Sequence, residues 1–180
     1  MSRQDAPRRI VIVGSTACGK STLARTLSRE TGLPHLELDT LYYAPRWQKA
    51  PDQQFYDTVA QHAGTNEWII DGNYETVRDI VWVRAQTLIW LDYPLRLVLW
   101  RLLKRTIHRL LTGAAFANGN RESVGRVFGR NSVFLWAIRS YGPRRRKLRQ
   151  LLANRRYSHL SVQRFGSPGE VNAWLRRKHD

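Results

Sequence analysis

Gly14, Gly19, Lys20 and Ser21 satisfy the spacing G-x-x-x-x-G-K-[ST] within VGSTACGKST, residues 13–22. Residue types in this order can hold a polyphosphate. The two glycines let backbone N–H groups turn inward, and a helix starting just after them adds the positive end of its dipole. Lys20 would neutralise the β- and γ-phosphates, and Ser21 offers a hydroxyl to Mg²⁺. Ser15, Thr16, Ala17 and Cys18 form the body of the loop and Thr22 follows it, so 14–22 is the expected nucleotide-binding stretch. Cys18 lies where oxidation or alkylation would obstruct a nucleotide; packing as a small residue beneath the loop is the alternative. A second candidate is Asp71, which ends the apolar run in WIIDGNY. There it could orient Mg²⁺ or its water across from Ser21. A strand-end aspartate that caps a turn with Gly72 is the plainer reading.

Such groups need a strand before the loop and a helix after it, and both patterns flank it. RRIVIVG, residues 8–14, is a β-branched run ending in glycine, read as a buried strand. From Lys20 onward, Leu23 and Leu27 fall on one helical face, and Gly32 is a natural stop. HLELD (35–39) reads as a second strand, followed by an irregular loop punctuated by Pro45 and Pro51. Asp52 is the expected N-cap of a helix over 52–62. EWIID (67–71) and TLIWLD (87–92) read as the third and fourth strands, with a helix over about 74–84 between them. A long helix runs from Pro94 to about Leu111, and TGAAFANGNRES has the composition of a mobile loop. A further helix is expected to break at YGP, residues 141–143. HLSVQRF is the fifth strand, and SPGE (167–170) opens the last helix as a capping box. Strands alternating with helices imply an α/β fold of three layers around a five-stranded parallel sheet.

The chain has 180 residues, enough for one domain with a sizeable core, and that single domain is the expectation for 1–180. A hydrophobic fraction of 42% with 7 Trp argues against disorder. One cysteine excludes an internal disulfide and suits a reducing compartment. The N-terminal apolar run is too short for a signal peptide, and no stretch nears the roughly 20 residues of a membrane span. A cytoplasmic location without membrane contact is expected. The net charge of +16 is lopsided. Residues 1–95 hold 10 Lys/Arg against 11 Asp/Glu, a net of −1, whereas 96–180 hold 20 against 3, a net of +17. Such a half favours polyanions, whether nucleotide, nucleic acid or acidic lipid. The five histidines show no metal-ligand spacing.

With D-G-N-Y at 71–74, LDTLYYAPRW before it and NRES after it, the chain resembles the adenylate-kinase-like nucleotide and small-molecule kinases. Within these it looks most like the subgroup labelled DNA topology modulation or FlaR-like proteins. The resemblance spans residues 10 to about 175. It implies the nucleoside-monophosphate and shikimate-kinase-like fold with a helical basic lid over about 114–146, and Mg·ATP as phosphoryl donor. It also implies catalytic roles for Lys20 and Asp71, and contacts from Arg101 and Arg105 to the ATP phosphates. Those two arginines stand one helical turn apart; solvated arginines on an amphipathic helix are the alternative. Arg121, Arg126, Arg130, Arg139 and the run 144–147 are further candidates for a lid that meets the transferring phosphoryl group.

Two departures concern the acceptor. Adenylate kinases carry D-G-F-P-R, whose arginine grips the acceptor's phosphate. Here that position is Glu75, an acid expected to repel a monophosphate. Asp39 is placed like the aspartate of shikimate-kinase-type enzymes that receives the acceptor hydroxyl, so it could be the acceptor-side base; a turn-capping role is the alternative. Tyr42, Tyr43, Trp47 and Tyr74 fall in segments expected to line the acceptor pocket, as stacking faces or as core. The leading expectation is an ATP-dependent phosphotransferase with an unidentified small acceptor. A nucleic-acid-associated ATPase is the rival, with nucleic acid otherwise a weak secondary partner.

Overall fold

Every strand that flanks the phosphate loop is buried on both faces, as parallel strands between helices must be. A computed structural model describes residues 7–114, 117–120 and 132–177. In it β1 (Arg9–Gly14), β2 (His35–Glu37), β3 (Trp68–Asp71), β4 (Thr87–Leu91) and β5 (Ser161–Phe165) form one sheet in the order β2-β3-β1-β4-β5. All four pairings are parallel.

Alternation along β1 feeds two separate cores. Val11 and Val13 point to one face, where they meet Phe55 and Val59 of α3 (Asp52–Gly64) and Val77 and Val81 of α4 (Glu75–Trp82). Leu148, Leu151 and Leu152, at the end of α6 (Val133–Leu152), close that layer. Ile10 and Ile12 point the other way. There they meet Leu23 and Leu27 of α1 (Lys20–Thr31), Val98 of α5 (Leu95–Thr112) and Val171 of α7 (Pro168–Arg177). The result is the expected three-layer α/β/α arrangement. Among the described residues no helix is long and apolar enough to cross a membrane.

Register places the chemistry. Asp71 pairs with Ile12 on one side and Glu37 on the other, so two carboxylates leave adjacent strand ends beside the start of the phosphate loop. This is the carboxyl edge of the sheet, where open α/β sheets bind ligands at the strand whose neighbours lead in opposite directions. Here that strand is β1, between β3 and β4.

Three sequence expectations need correction. β2 stops at Glu37, and Asp39 lies in the first turn of a short helix, α2 (Leu38–Tyr42), not at a strand end. The turn is favoured because Thr40 Oγ1 donates back to the Glu37 carbonyl at 2.7 Å. Asp52 is the first residue of α3, not its cap; Pro51 takes that place and its carbonyl receives Phe55 N–H at 3.0 Å. Asp52 still complements the helix dipole from the first turn. Helix α6 runs unbroken through residues 141–143. Pro143 removes one donor, the one Arg139's carbonyl would receive. Anchors on both sides of it hold the helix to the two residues that follow β4: Tyr141 OH donates to the Tyr93 carbonyl at 2.9 Å, and Arg145 pairs with Asp92. At the start of α7 Ser167 Oγ caps Glu170 N–H at 3.3 Å, as the capping box requires, and Glu170 Oε2 reaches back to Gly166 N–H at 2.8 Å, one residue before the cap.

Asp92 ties the basic half of the chain to the sheet. Its side chain is 3% exposed and accepts Arg145 Nε on one oxygen at 2.7 Å. Arg164 Nε and Nη2 bind the other oxygen, together with Arg145 Nη2 at 2.9 Å. Hydrogen bonding to Asp92 raises the pKa of Arg145 further. Removing one partner of a buried pair costs about 3–5 kcal/mol. Because the guanidinium groups are 36% and 48% exposed, solvent screens part of that. Asp92→Asn is therefore expected to lower unfolding stability by roughly 2 kcal/mol in urea titration. A change below about 0.5 kcal/mol would make the cluster a surface ornament.

Candidate active site

The phosphate loop departs from β1 through Gly14, where a Cβ would stand 2.7 Å from the Leu91 carbonyl and 2.8 Å from Cys18 Sγ. Only glycine lets β4 and the loop approach so closely. Gly19, at φ 99°, turns the chain into α1, and a Cβ there would meet Arg101 Nη1 at 3.2 Å. Lys20 Nζ donates to the Ser15 carbonyl at 3.2 Å, which keeps the ammonium group at the loop. Cys18 is buried beneath it, and burial pushes the thiol pKa up. An unionised, enclosed thiol fits the packing role.

Ser21 Oγ lies 2.8 Å from Asp71 Oδ2 and 2.9 Å from Glu37 Oε1. A hydroxyl has one proton, so it can satisfy only one of these oxygens. The surplus of acceptor lone pairs suits a hard cation. Mg²⁺ is commonly held by one or two carboxylates together with substrate phosphates and water. The residues present fit that ion as a shared site with a nucleotide. A cage made by protein alone does not arise, since no group of three or more His, Cys, Asp or Glu among the described residues could hold a metal ion. Asp71 is further fixed by His35, whose Nε2 is 2.7 Å from Asp71 Oδ1. Its side chain is 2% exposed.

Glu37, His35 and Asn73 escaped the sequence reading. Asn73 Nδ2 donates to the Gly14 carbonyl at 2.6 Å, and its Oδ1 accepts Gly14 N–H at 3.3 Å, fastening the end of β3 to the first residue of the loop. Glu37 could have been found from its position two before Asp39, once β2 was placed beside β3. His35 left no signal of its own.

Arg101 and Arg105 line the same cavity of about 740 Å³ as Lys20, Ser21, Glu37 and Asp39. Arg101 Nη1 donates to the Cys18 carbonyl at 2.8 Å, and its guanidinium lies 5.4 Å from the Tyr93 ring centroid. Arg109, one turn further along α5, lines it as well and continues the four-residue spacing. The structure thus brings residues 16–22 of the predicted loop, Asp39 and both arginines to one cavity, while Asp71 lies behind its wall and reaches it through Ser21.

Asp39, which lines the cavity, accepts from Tyr74 OH on Oδ1 at 2.6 Å. Burial and the neighbouring Asp39 charge hold the Tyr74 pKa far above its ordinary value, so it remains a donor. Tyr42 and Tyr74 pack with Phe55 at ring separations of 5.4 and 5.2 Å and lie partly buried against the core. Asn118 and Asn120 clasp the loop after α2. Asn118 Nδ2 reaches the carbonyls of Thr40 and Tyr43 at 2.7 and 2.6 Å, and Asn120 Oδ1 accepts Trp47 N–H at 2.6 Å. Of the expected lid arginines, Arg121, Arg126 and Arg130 lie outside the described residues. Arg145 is committed to Asp92, and Lys147 to Glu75 at 2.7 Å.

Glu75 does not present the bare acid that its sequence position implied. Lys147 donates to both of its oxygens at 2.7 Å, and Arg78 stands 3.6 Å away. The Lys147 hydrogen bonds hold its carboxyl below the usual range.

No family model and no curated protein matches the chain. Solved structures do. A shikimate kinase from Bacteroides thetaiotaomicron superposes with a TM-score of 0.57 at 15% identity, covering 96% of each chain. A shikimate kinase from Aquifex aeolicus gives 0.51 at 14% identity, covering 95% of this chain and 98% of the other. The fold is therefore a phosphate-loop α/β/α fold with a five-stranded parallel sheet, similar to that of those two proteins over nearly the whole chain.

Proposed function

We propose that the protein is an ATP-dependent kinase that moves the γ-phosphoryl group of Mg·ATP to a small acceptor. The observation that carries this reading is the single cavity lined by Lys20, Ser21, Glu37, Asp39, Arg101 and Arg105, with Asp71 held against it by Ser21 Oγ at 2.8 Å. The loop N–H groups and Lys20 bind the β- and γ-phosphates. Ser21, Asp71 and Glu37 would hold Mg²⁺, which would supply positive charge to offset that of the phosphates. Arg101 and Arg105 face the phosphoryl oxygens. Asp39, fixed by Tyr74, accepts the proton of the attacking hydroxyl. The acceptor oxygen then bonds to phosphorus as the bridge to ADP breaks.

The fold neighbours that bear the name shikimate kinase support this class without specifying an acceptor here. The likeness to topology-modulation (FlaR-like) proteins rests on the sequence stretches alone. A single unit over 1–180 with a lid over about 114–146, in the cytoplasm, completes the reading.

The rival, a nucleic-acid-associated ATPase, is favoured by the net charge of +17 over residues 96–180, which exceeds what one nucleotide needs. ATP consumption against nucleosides, nucleotides, sugars and short oligonucleotides separates the two. Turnover with a small acceptor and without DNA is expected. A non-hydrolysable ATP analogue should also slow hydrogen exchange over 114–146. DNA binding should be weak and lose affinity with salt at a log–log slope of roughly −0.9 per phosphate contacted. DNA-dependent hydrolysis with no protection by the analogue would overturn the kinase reading.

A further inference from the structure

Helix α5 presents three faces. Val98, Leu102 and Thr106 are buried. Arg101, Arg105 and Arg109 line the nucleotide cavity. The third face carries Trp100, Lys104, Ile107 and Leu111, whose spacing of four, three and four residues sets them in one row along about 16 Å of helix. Trp100, Ile107 and Leu111 are 53%, 47% and 81% exposed. Single apolar residues at a surface are ordinary, but a row of three large ones on one helix face is not. Lys104 Nζ lies 4.9 Å from the Trp100 ring centroid, and Arg96, one turn before Trp100, is exposed as well. The start of α6, which packs against α5, adds Leu135 and Ile138 to the exposed apolar surface.

Charge selects what can cover this row. Helix α5 carries five Lys/Arg and α6 six, and neither helix contains an acid. Two of these cations, Arg145 and Lys147, are offset by Asp92 and Glu75. A second copy of the chain would set Arg96 and Lys104 against their own counterparts. Three side chains also fall short of the roughly 800 Å² per partner that a stable protein interface buries. Nucleic acid could stack on Trp100 but gains little from Ile107 and Leu111, which have no π-face. An anionic bilayer uses every member of the row. It takes indole and aliphatic groups into the boundary between headgroups and acyl chains, and long cationic side chains reach the phosphates beside them.

We propose that the outer face of α5 docks on an anionic lipid bilayer. Trp100, Ile107 and Leu111 enter the headgroup boundary, while Arg96 and Lys104 meet the lipid phosphates and carboxylates. The contact is peripheral, since α5 bears five charges and is not apolar enough to cross a membrane. The lack of a spanning stretch, which led to the expectation of no membrane contact, says nothing against docking at the surface. Arg101, Arg105 and Arg109 occupy another flank of α5, so docking and nucleotide binding are compatible. Docking stands whether or not a phosphoryl group is moved.

Vesicles of phosphatidylcholine with phosphatidylserine, and vesicles of phosphatidylcholine alone, serve as probes in co-sedimentation with the full chain. Binding at least tenfold tighter to the anionic vesicles is expected, and it should weaken with salt. W100Q/I107Q/L111Q should lower it at least tenfold, and R96Q/K104Q by roughly tenfold. R176Q/R177Q, which removes the same charge from the end of α7, should leave it within about twofold. All these side chains are exposed, so circular dichroism melts should match the parent chain. Should the triple variant melt early, L111Q alone is expected to lower binding at least threefold. Mg·ATP binding by W100Q/I107Q/L111Q should stay within twofold, which keeps a failure of docking distinct from a failure of the kinase reading. No binding to anionic vesicles overturns the proposal. So does equal loss in R96Q/K104Q and R176Q/R177Q with the triple variant unaffected, which reduces the effect to net charge. A dimer in gel filtration that the triple variant dissociates gives the row to a second copy. Tenfold weaker oligonucleotide binding by that variant, in place of vesicle binding, gives it to nucleic acid. Either result also overturns the proposal.

Discussion

Lys20→Ala is expected to weaken Mg·ATP binding at least tenfold, and about 100-fold if both phosphates lose their partner. A charge-assisted hydrogen bond contributes about 1.5–3 kcal/mol, and each 1.4 kcal/mol is a factor of ten in affinity. The fold should not suffer. Lys20 Nζ makes its contact with one part-buried carbonyl, that of Ser15 at 3.2 Å, and belongs to neither core. Melting should therefore shift by no more than a degree or two while calorimetry registers the loss. Unchanged affinity for Mg·ATP would remove the phosphate loop from the site. A large melting shift would instead mean that the lysine supports the loop conformation, and the loss of binding would then be indirect.

The sheet was legible because β1, β3 and β4 are short apolar runs, as burial on both faces demands, and each ends in or runs into a glycine or an acid. The phosphate loop was legible for a similar reason. Gly14 and Gly19 occupy backbone positions that a Cβ would obstruct, so residue type reports geometry directly. Asp71 and Asp39 were found through the strands they follow. Glu37 was missed because its role depends on register between β2 and β3, a non-local property that no local spacing encodes.

Charge was the least legible feature. Arg145, Arg164 and Lys147 look alike in sequence with the arginines of α5, yet their partners Asp92 and Glu75 lie 53 to 72 positions away. Those pairs turn part of the apparent polyanion surface into internal fastening. Glu75 was misjudged in the same way, as a lone acid, because its neutralising Lys147 belongs to a helix 72 positions further along the chain. The asparagines 118 and 120 read as turn residues; their function as a clasp on the loop after α2 needed the two segments to be side by side.

Asp71→Asn tests the cation site with the least disturbance to packing. The side chain keeps its size, and its remaining carbonyl oxygen can still accept from His35 at the Oδ1 position. The amide then faces Ser21, whose hydroxyl turns its proton to Glu37 instead. Every buried polar atom in this set thus retains a partner, so melting should change little. What is lost is one negative charge on the cation, in a position where the remaining acid, Glu37, cannot replace it alone. Losing a group that organises charge in the transition state costs about 10²–10³ in turnover. The expected result is a fall of at least about 100-fold in kcat, with half-maximal activity moved to higher Mg²⁺. Glu37→Gln should act in the same direction with a smaller effect, since its oxygens are farther exposed and also approach Arg25 at 3.7 Å. Steady-state rates across a magnesium titration read both. If Asp71→Asn instead lowers the melting temperature by several degrees and leaves the magnesium dependence of turnover unaltered, then the aspartate joins His35 to Ser21 as a structural link, and Ser21 and Glu37 must hold the cation without it.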